Sequence, residues 1–158
     1  MSQQTDGINQ VHDQLYIADI AAARTSDMST FDAIVTVCQD SIEDHIPDGT
    51  DYHFFNMADG PECDYGGKSD YQFFKDAAQT ILDHLESGET ILVHCHMGQS
   101  RSASTSLAAL SVLEDVTYHE MFLRVKESRP QINPDGLLRD HAIRFIEEQT
   151  DIDHTPFQ

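Results

Sequence analysis

The 158-residue sequence is poor in positive charge, with nine Lys and Arg residues against 28 Asp and Glu residues and a formal net charge of −19. Nucleic-acid binding requires a basic surface, so this composition argues against a nucleic-acid partner. No run approaches the ~20 apolar residues of a membrane helix. The first ten residues lack the basic and apolar pattern of a signal peptide. We therefore expect a cytoplasmic protein with no membrane partner.

Cysteine is also scarce. The three cysteines, Cys38, Cys63 and Cys95, are odd in number and lie far apart, so they do not form a disulfide framework. No close pair of Cys or His residues has the spacing of a zinc finger. The sequence therefore predicts neither a structural metal nor a cofactor.

Lysine is nearly absent, and Asp outnumbers Glu. Hydrophobic residues still make up 39% of the chain, which argues against disorder caused by self-repulsion. We interpret the acidic composition as adaptation to high salt, where screening removes most of the repulsion. An ordinary acidic protein from a low-salt organism is the alternative. The composition resembles that of proteins from salt-accumulating microbes.

Length and periodicity predict one domain over residues 1–158, with a core at about 8–148 and loose ends at 1–8 and 151–158. Strands alternate with helices, which is typical of an α/β fold with a mostly parallel sheet and helices on its faces. The predicted strands are 11–17, 33–38, 52–58 and 90–94. The predicted helices are 18–24, 71–87, 102–113, a helix that begins at the cap Thr117 and ends before Pro130, and 135–148.

One motif lies between a buried strand and a helix. Cys95 follows the strand, and Arg101 follows Cys95 after five residues. The backbone N–H groups of such a loop, with the positive end of the next helix, form a site for a phosphate dianion. The Arg101 guanidinium matches two phosphate oxygens, and the Cys95 thiolate is a nucleophile. The combination predicts phosphoryl transfer through cysteine.

Neighbouring residues fit the same chemistry. Gly98 lets the backbone approach the anion without a Cβ. The Ser102 hydroxyl lies just past Arg101, where it can stabilise the thiolate as a leaving group. We expect His94 to be a buried histidine that orients the loop and transfers no proton.

With this motif, the chain resembles the dual-specificity branch of the protein tyrosine phosphatase family over about residues 8–148. The resemblance implies that Cys95 is the nucleophile, that Arg101 clamps the phosphate and that Ser102 assists the leaving group. It also implies that the loop amides bind the phosphate; these belong to His96, Met97, Gly98, Gln99, Ser100 and Arg101. The implied partner is a phosphorylated protein or peptide.

A cysteine nucleophile also needs a carboxylic acid to protonate the leaving oxygen. Asp59 directly follows a predicted strand, and the general acid of the family occupies that place. Asp64 and Asp70 lie in the same acidic loop and are rivals.

The chain departs from the family at three places. The Asp59 loop is lengthened, and Gln99 stands where relatives often have a small apolar or aromatic residue. Pro134-Asp135-Gly136 replaces the usual Pro-Asn, which puts the amide support of the phosphate loop in question.

Two other functions stay open at this point. One is a phosphatase of phosphoinositides or RNA 5′-phosphates, which the acidic background disfavours. The other is a non-catalytic module that binds phosphoproteins, which would typically have lost one of the three catalytic residues.

Cys38 ends a strand that we expect beside the strand of Cys95. Some lipid-phosphatase relatives have a cysteine at this strand end that protects the nucleophile from oxidation. Cys38 is therefore a possible redox partner of Cys95, and the alternative is a buried core residue. Cys63 is a weaker candidate.

Overall fold

The structure is a computed structural model that describes residues 7–61 and 66–154. Five strands form one sheet in the order β1-β2-β5-β3-β4. β1 is antiparallel to β2, and the other neighbouring pairs are parallel. The strands are β1 (Ile8–His12), β2 (Leu15–Ala18), β3 (Ala33–Thr36), β4 (Asp51–Phe54) and β5 (Ile91–His94). The predicted mostly parallel α/β fold is confirmed.

Helices cover both faces of the sheet. They are α1 (Ile20–Thr25), α2 (Tyr71–Glu86), α3 (Arg101–Glu114), α4 (Tyr118–Ser128) and α5 (Gly136–Gln149), with a 3₁₀ turn at Glu43–His45. The apolar sides of α2, α3, α4 and α5 form one core with one face of the strands. α1 packs in a smaller cluster on the opposite face. Within the described residues, no helix is long and apolar enough to cross a membrane.

α3 lies at the centre of the larger core, and its small residues explain why. Residues 102–111 are all buried, and they are Ala, Ser, Thr and Leu. Small side chains allow α2 and α5 to pack closely against this helix. The first residue of α3, Arg101, is thereby held at the end of the loop that follows β5.

The start of the chain differs from the prediction. Residues 11–17 do not form one strand, because the polar pair Asp13-Gln14 turns the chain between β1 and β2. Ala18 belongs to β2 and not to the helix. Asp19 accepts a hydrogen bond from the Ala22 N–H at 2.7 Å, and this cap starts α1 at Ile20.

The predicted strands 33–38 and 52–58 are too long, since β3 ends at Thr36 and β4 at Phe54. Cys38 lies past the end of β3, and Met57 forms only an isolated bridge with Lys68. Both residues are buried and apolar, which is why the predicted strands ran too far. The ends of the core are also better ordered than expected. Ile8 pairs in β1, and buried His154 accepts a hydrogen bond from the Tyr118 N–H at 3.1 Å.

Candidate active site

The thiol of Cys95 lies at the bottom of the loop between β5 and α3 and is 2% exposed. Its Sγ accepts a hydrogen bond from the Gly98 N–H at 3.2 Å. The Ser102 Oγ lies 3.1 Å from the same sulfur. Donors of this kind stabilise a thiolate, the nucleophilic form of cysteine.

Arg129 supports this loop from behind, although the sequence analysis did not identify it. Its side chain is fully buried, and its Nε donates to the Gly98 carbonyl at 2.8 Å. Its Nη1 donates to the Asn9 Oδ1 at 2.6 Å, and its Nη2 to the Met97 carbonyl at 3.3 Å. A single guanidinium therefore ties the loop to β1. Its position directly before Pro130, at the end of a helix, was the signal available in the sequence.

Gly98 is required by this arrangement. Its φ is +68°, a backbone conformation that residues other than glycine rarely adopt. A Cβ at this position would lie 2.4 Å from the Arg129 Nη2 and 2.9 Å from the Ala18 carbonyl oxygen. The close approach of Arg129 and the turn at Gly98 therefore depend on each other.

Backbone groups before α5 give the loop a second support. The Asn133 N–H donates to the Gln99 carbonyl at 2.6 Å. The Asp135 N–H donates to the Ser100 Oγ at 2.8 Å. The Asp135 carboxylate is engaged elsewhere, since it caps α5 through the Leu137 N–H. Main-chain donors thus support the loop at the place where the family resemblance led us to expect an amide side chain.

His94 anchors the end of β5. Its imidazole is completely buried, its Nε2 lies 2.6 Å from the Thr36 Oγ1, and its Nδ1 lies 3.2 Å from the Cys95 carbonyl oxygen. Burial lowers the pKa of His94 to about 4, so its ring is neutral at physiological pH. A neutral, enclosed imidazole suits the predicted role in positioning the loop.

Arg101 faces the cavity from the first turn of α3. Its Nη1 donates to the Gln39 Oε1 and to the Met57 carbonyl, both at 3.1 Å. Its Nε is buried without a hydrogen-bond partner among the described atoms. A buried, unsatisfied donor on a cation favours an anionic ligand. The Ser100 side chain does not cap α3, so it leaves the positive end of this helix to the cavity.

Asp59 shares a cavity of about 280 Å³ with Cys95 and Arg101. The other lining residues are Met97, Gln99, Ser100, Asn133, Pro134 and Asp135. Asp59 is exposed, whereas Asp70 caps α2 by accepting from the Phe73 N–H at 3.1 Å. Asp70 is therefore occupied outside the cavity, and Asp64 lies outside the described residues.

The base of the Asp59 loop is closed by pairing between its two ends. The Ala58 N–H donates to the Lys68 carbonyl, and the Lys68 N–H donates to the Asn56 carbonyl, both at 2.9 Å. The predicted insertion thus leaves the core and returns to it at adjacent positions. Residues 62–65 lie outside the described residues.

His96 and Met97 form the outer part of the phosphate loop. The His96 carbonyl accepts from the Ile20 N–H at 3.0 Å, which joins the loop to α1. The His96 imidazole Nε2 lies 3.3 Å from the Asp40 carboxylate. Met97 is 60% exposed and lines the cavity mouth, where it presents an apolar side chain.

Residues 15–145 match the family described as dual specificity phosphatase, catalytic domain. The chain belongs to this family. This dual specificity phosphatase domain is 33% identical over 93 residues to a probable rhodanese domain-containing dual specificity protein phosphatase of Dictyostelium discoideum, covering 59% of this chain and 18% of the relative. It is 29% identical over 143 residues to dual specificity protein phosphatase 18 of Bos taurus, covering 88% of this chain and 72% of the relative.

The phosphatase domain spans about a fifth or less of the first curated relatives it matches. A solved mouse structure, a putative dual specificity phosphatase complexed with zinc tungstate, superposes with a TM-score of 0.75 at 19% identity. This alignment covers 94% of the phosphatase domain and 91% of the mouse chain. At this identity the match supports the fold.

Cys38 of the phosphatase domain is a buried, free cysteine beyond the end of β3. Burial raises the pKa of Cys38 to about 11, and the nearby Cys95 also raises it. The thiol is therefore protonated at neutral pH and reacts slowly with an oxidised partner. Its redox role stays a prediction, and Cys63 lies outside the described residues.

Proposed function

We propose that this domain is a phosphoprotein phosphatase that hydrolyses phosphomonoesters through a phosphocysteine intermediate on Cys95. The observation that carries the proposal is that one cavity is lined by the three groups that this reaction needs. A thiol lies beside two hydrogen-bond donors, Arg101 offers an unsatisfied Nε, and Asp59 adds an exposed carboxyl group. These are a nucleophile, an anion clamp and a proton donor.

In the first step the Cys95 thiolate attacks phosphorus in line with the leaving oxygen. The S–P bond forms while the P–O bond breaks, and Asp59 gives its proton to the departing oxygen. The loop amides and Arg101 hold the three equatorial oxygens. Positioning and electrostatic stabilisation supply most of the rate enhancement in phosphoryl transfer.

In the second step Asp59, now a carboxylate, takes a proton from water. The water attacks phosphorus, the S–P bond breaks and inorganic phosphate forms. Ser102 is placed to donate a hydrogen bond to the sulfur as it regains its charge, because its Oγ lies 3.1 Å from Sγ. The roles of His96, Met97, Gln99 and Ser100 are to bind phosphate through the backbone.

The charge around the cavity favours a phosphoprotein over a polyanion. Among the described lining residues, Arg101 is the one cation, and Asp59 and Asp135 are both acidic residues. Phosphoinositides and RNA 5′-phosphates bring several charges and would meet this acidic rim. A non-catalytic binding module is disfavoured because Cys95, Arg101 and Asp59 are all present.

The test is replacement of the sulfur. Cys95→Ser should abolish hydrolysis of p-nitrophenyl phosphate, since a serine hydroxyl is not ionised near neutral pH. A phosphotyrosine peptide should still bind, because the loop and Arg101 remain. Cys38→Ala is the matched control, and it should retain turnover. Turnover by Cys95→Ser near the wild-type rate would overturn the mechanism.

The net charge of −19 supports two finer proposals. The first is adaptation to high salt: the Debye length falls from ~10 Å at 0.1 M to ~3 Å at 1 M, so self-repulsion weakens. The melting temperature should rise over this range, and a flat or falling profile would contradict the proposal. The second is that nucleic acids are not partners. We expect no membrane partner either, because no run of the sequence approaches the ~20 apolar residues of a membrane helix.

The location we propose is the cytoplasm, because a catalytic thiol stays active in a reducing compartment. We also propose that peroxide oxidises Cys95 to a sulfenic acid, which condenses with the Cys38 thiol to form a disulfide and water. A thiol reductant then returns both cysteines to thiols. After peroxide and then a thiol reductant, wild type should regain more activity than Cys38→Ser. Equal recovery would leave Cys38 as a core residue.

A further inference from the structure

Three potential metal ligands converge outside the cavity that contains Cys95. Asp51 and His53 lie on β4, and His84 lies in the last turn of α2. One donor atom from each lies within 4.8 Å of the others. The Nε2 atoms of His53 and His84 are 3.0 Å apart.

The backbone explains why these side chains meet. Residues 51 and 53 are alternate positions of a strand, so they lie on the same face of the sheet. Tyr52, between them, packs in the cluster on the opposite face. β4 is the last strand of the sheet, and α2 covers the face that carries His53.

A carboxylate orients the His84 ring. The His84 Nδ1 lies 2.5 Å from the Glu89 Oε1. An ionised carboxylate only accepts hydrogen bonds, so Nδ1 carries the proton of this pair. In the neutral ring, the Nε2 lone pair then faces His53. Metal-bound histidines show this arrangement, in which a carboxylate behind the ring fixes the tautomer and strengthens the ligand.

We propose that Asp51, His53 and His84 bind a divalent first-row transition ion, with Zn²⁺ as the best match. Two imidazoles and one carboxylate suit zinc, whereas Mg²⁺ and Ca²⁺ prefer oxygen ligands. Bonds of 2.0–2.1 Å in a tetrahedral site place the ligand atoms about 3.3 Å apart. Small side-chain adjustments therefore suffice, and exposed Asp51 gives the ion a path from solvent.

The ion would join the edge strand to the end of α2. β4 begins at Asp51 and runs towards Met57 and Asp59, whereas Cys95 follows the carboxyl end of β5. In the register of the sheet, Asp51 is level with Ile91 and His53 with Val93, and β3 separates both from β5. The site therefore lies to the side of the loop that carries Cys95. Its role is to stabilise the strand that leads into the Asp59 loop. The two histidines are 31 residues apart in the sequence, so a search for closely spaced metal ligands does not find this site.

The alternative is a hydrogen bond between two imidazoles with no affinity for metal. Calorimetric titration with Zn²⁺ distinguishes a metal site from this hydrogen-bonded pair. The titration uses Cys95→Ser protein, because this substitution removes the catalytic thiolate as a competing ligand. We expect one saturable site, which Mg²⁺ and Ca²⁺ do not compete for. His53→Gln and His84→Gln should each lose tenfold or more in affinity, and Glu89→Gln about tenfold.

His12→Gln is the matched control. The His12 Nε2 also pairs with a carboxylate, that of Glu114 at 2.9 Å, but it belongs to no group of three ligands within residues 7–61 and 66–154. This variant should bind Zn²⁺ as its parent does. Circular dichroism of each metal-free variant verifies folding.

Nuclear magnetic resonance of the Cys95→Ser parent gives a second readout, which does not depend on any ligand variant. Zn²⁺ should shift the Nε2 signals of His53 and His84 and leave that of His12 unchanged. The absence of saturable binding, equal affinity in the His53, His84 and His12 variants, or unshifted Nε2 signals would overturn the proposal.

Discussion

The loop between β5 and α3 and the loop that carries Asp59 reach the same cavity, but the protein holds them differently. Arg129, Asn133 and Asp135 bind the first loop from outside, and Cys95 at its base is almost inaccessible. Asp59 is exposed, and its loop is joined to the core at its base by pairing with Lys68.

This difference assigns separate tasks to the two halves of the site. Donors that stabilise a transition state work best when they are fixed before the substrate arrives. A general acid has to reach the leaving group of each substrate, and loops that close over a site commonly supply it. We therefore propose that the rigid half supplies phosphate binding and that the Asp59 half adapts to the leaving group.

Glycine substitutions should give the largest difference in stability between the two loops. Each loop contains a glycine with positive φ. Gly98→Ala should cost about 2–5 kcal/mol, the sum of a left-handed alanine and a clash with Arg129 and Ala18. Gly60 has φ +113°, and a Cβ there would meet the Asp135 side chain at 3.1 Å. Gly60→Ala should cost about 1–3 kcal/mol from backbone strain, because this φ lies beyond the left-handed region.

Urea unfolding of the two variants measures this difference. The Gly98 variant should also lose turnover on every substrate, because its loop amides move. Equal destabilisation by the two substitutions would show that the phosphate loop is no more rigid than its neighbour.

Asp59→Asn tests the adaptable half. It should slow hydrolysis about 10²-fold for substrates with poor leaving groups, such as phosphoserine peptides, because these need protonation. An activated aryl phosphate should be affected much less in its first step. Asp70→Asn is the control on the same loop, since Asp70 caps α2.

The ratio of the two substrates' kcat/KM values reports this effect. A ratio unchanged by Asp59→Asn would mean that another group is the acid. Asp64→Asn would then be the next variant to measure.

The smallest expected effect near neutral pH is that of His94 protonation on the free energy of unfolding. The pKa of His94 falls from 6.5 to about 4 on burial, so the unfolded chain binds a proton that the folded chain excludes. The stabilisation is complete above pH 6.5 and is lost as the pH falls towards 4, by up to about 3 kcal/mol.

A pH titration of the His94 ring followed by nuclear magnetic resonance measures this pKa directly. A value near 6.5 would contradict the buried, neutral state. The free energy of unfolding should fall over the same pH range.

The strand–loop–helix around Cys95 was predictable because its contacts are local. The spacing from Cys95 to Arg101 and the composition of the flanking elements contain that information. Arg129 was not predictable in the same way, since it binds Gly98 across 31 residues and a lone arginine before Pro130 indicates only a helix end. The pair of His53 and His84 was missed for the same reason.

The hairpin of β1 and β2 shows a different limit. Residues 11–17 alternate like a single strand, and the turn at Asp13-Gln14 contains neither Gly nor Pro. The antiparallel pairing decides where the strand breaks. His154 was likewise predicted to lie in a loose end. Its hydrogen bonds to Glu147 and Tyr118 form only in the folded protein, so no local sequence pattern indicates them.

The measurement closest to the central claim is capture of the covalent intermediate. Wild-type enzyme is mixed with excess p-nitrophenyl phosphate, quenched in acid during turnover and digested for mass spectrometry. We expect one phosphoryl group on the peptide that contains Cys95, and none in Cys95→Ser. Turnover without a phosphorylated Cys95 peptide, or a phosphoryl group on a different residue, would contradict it.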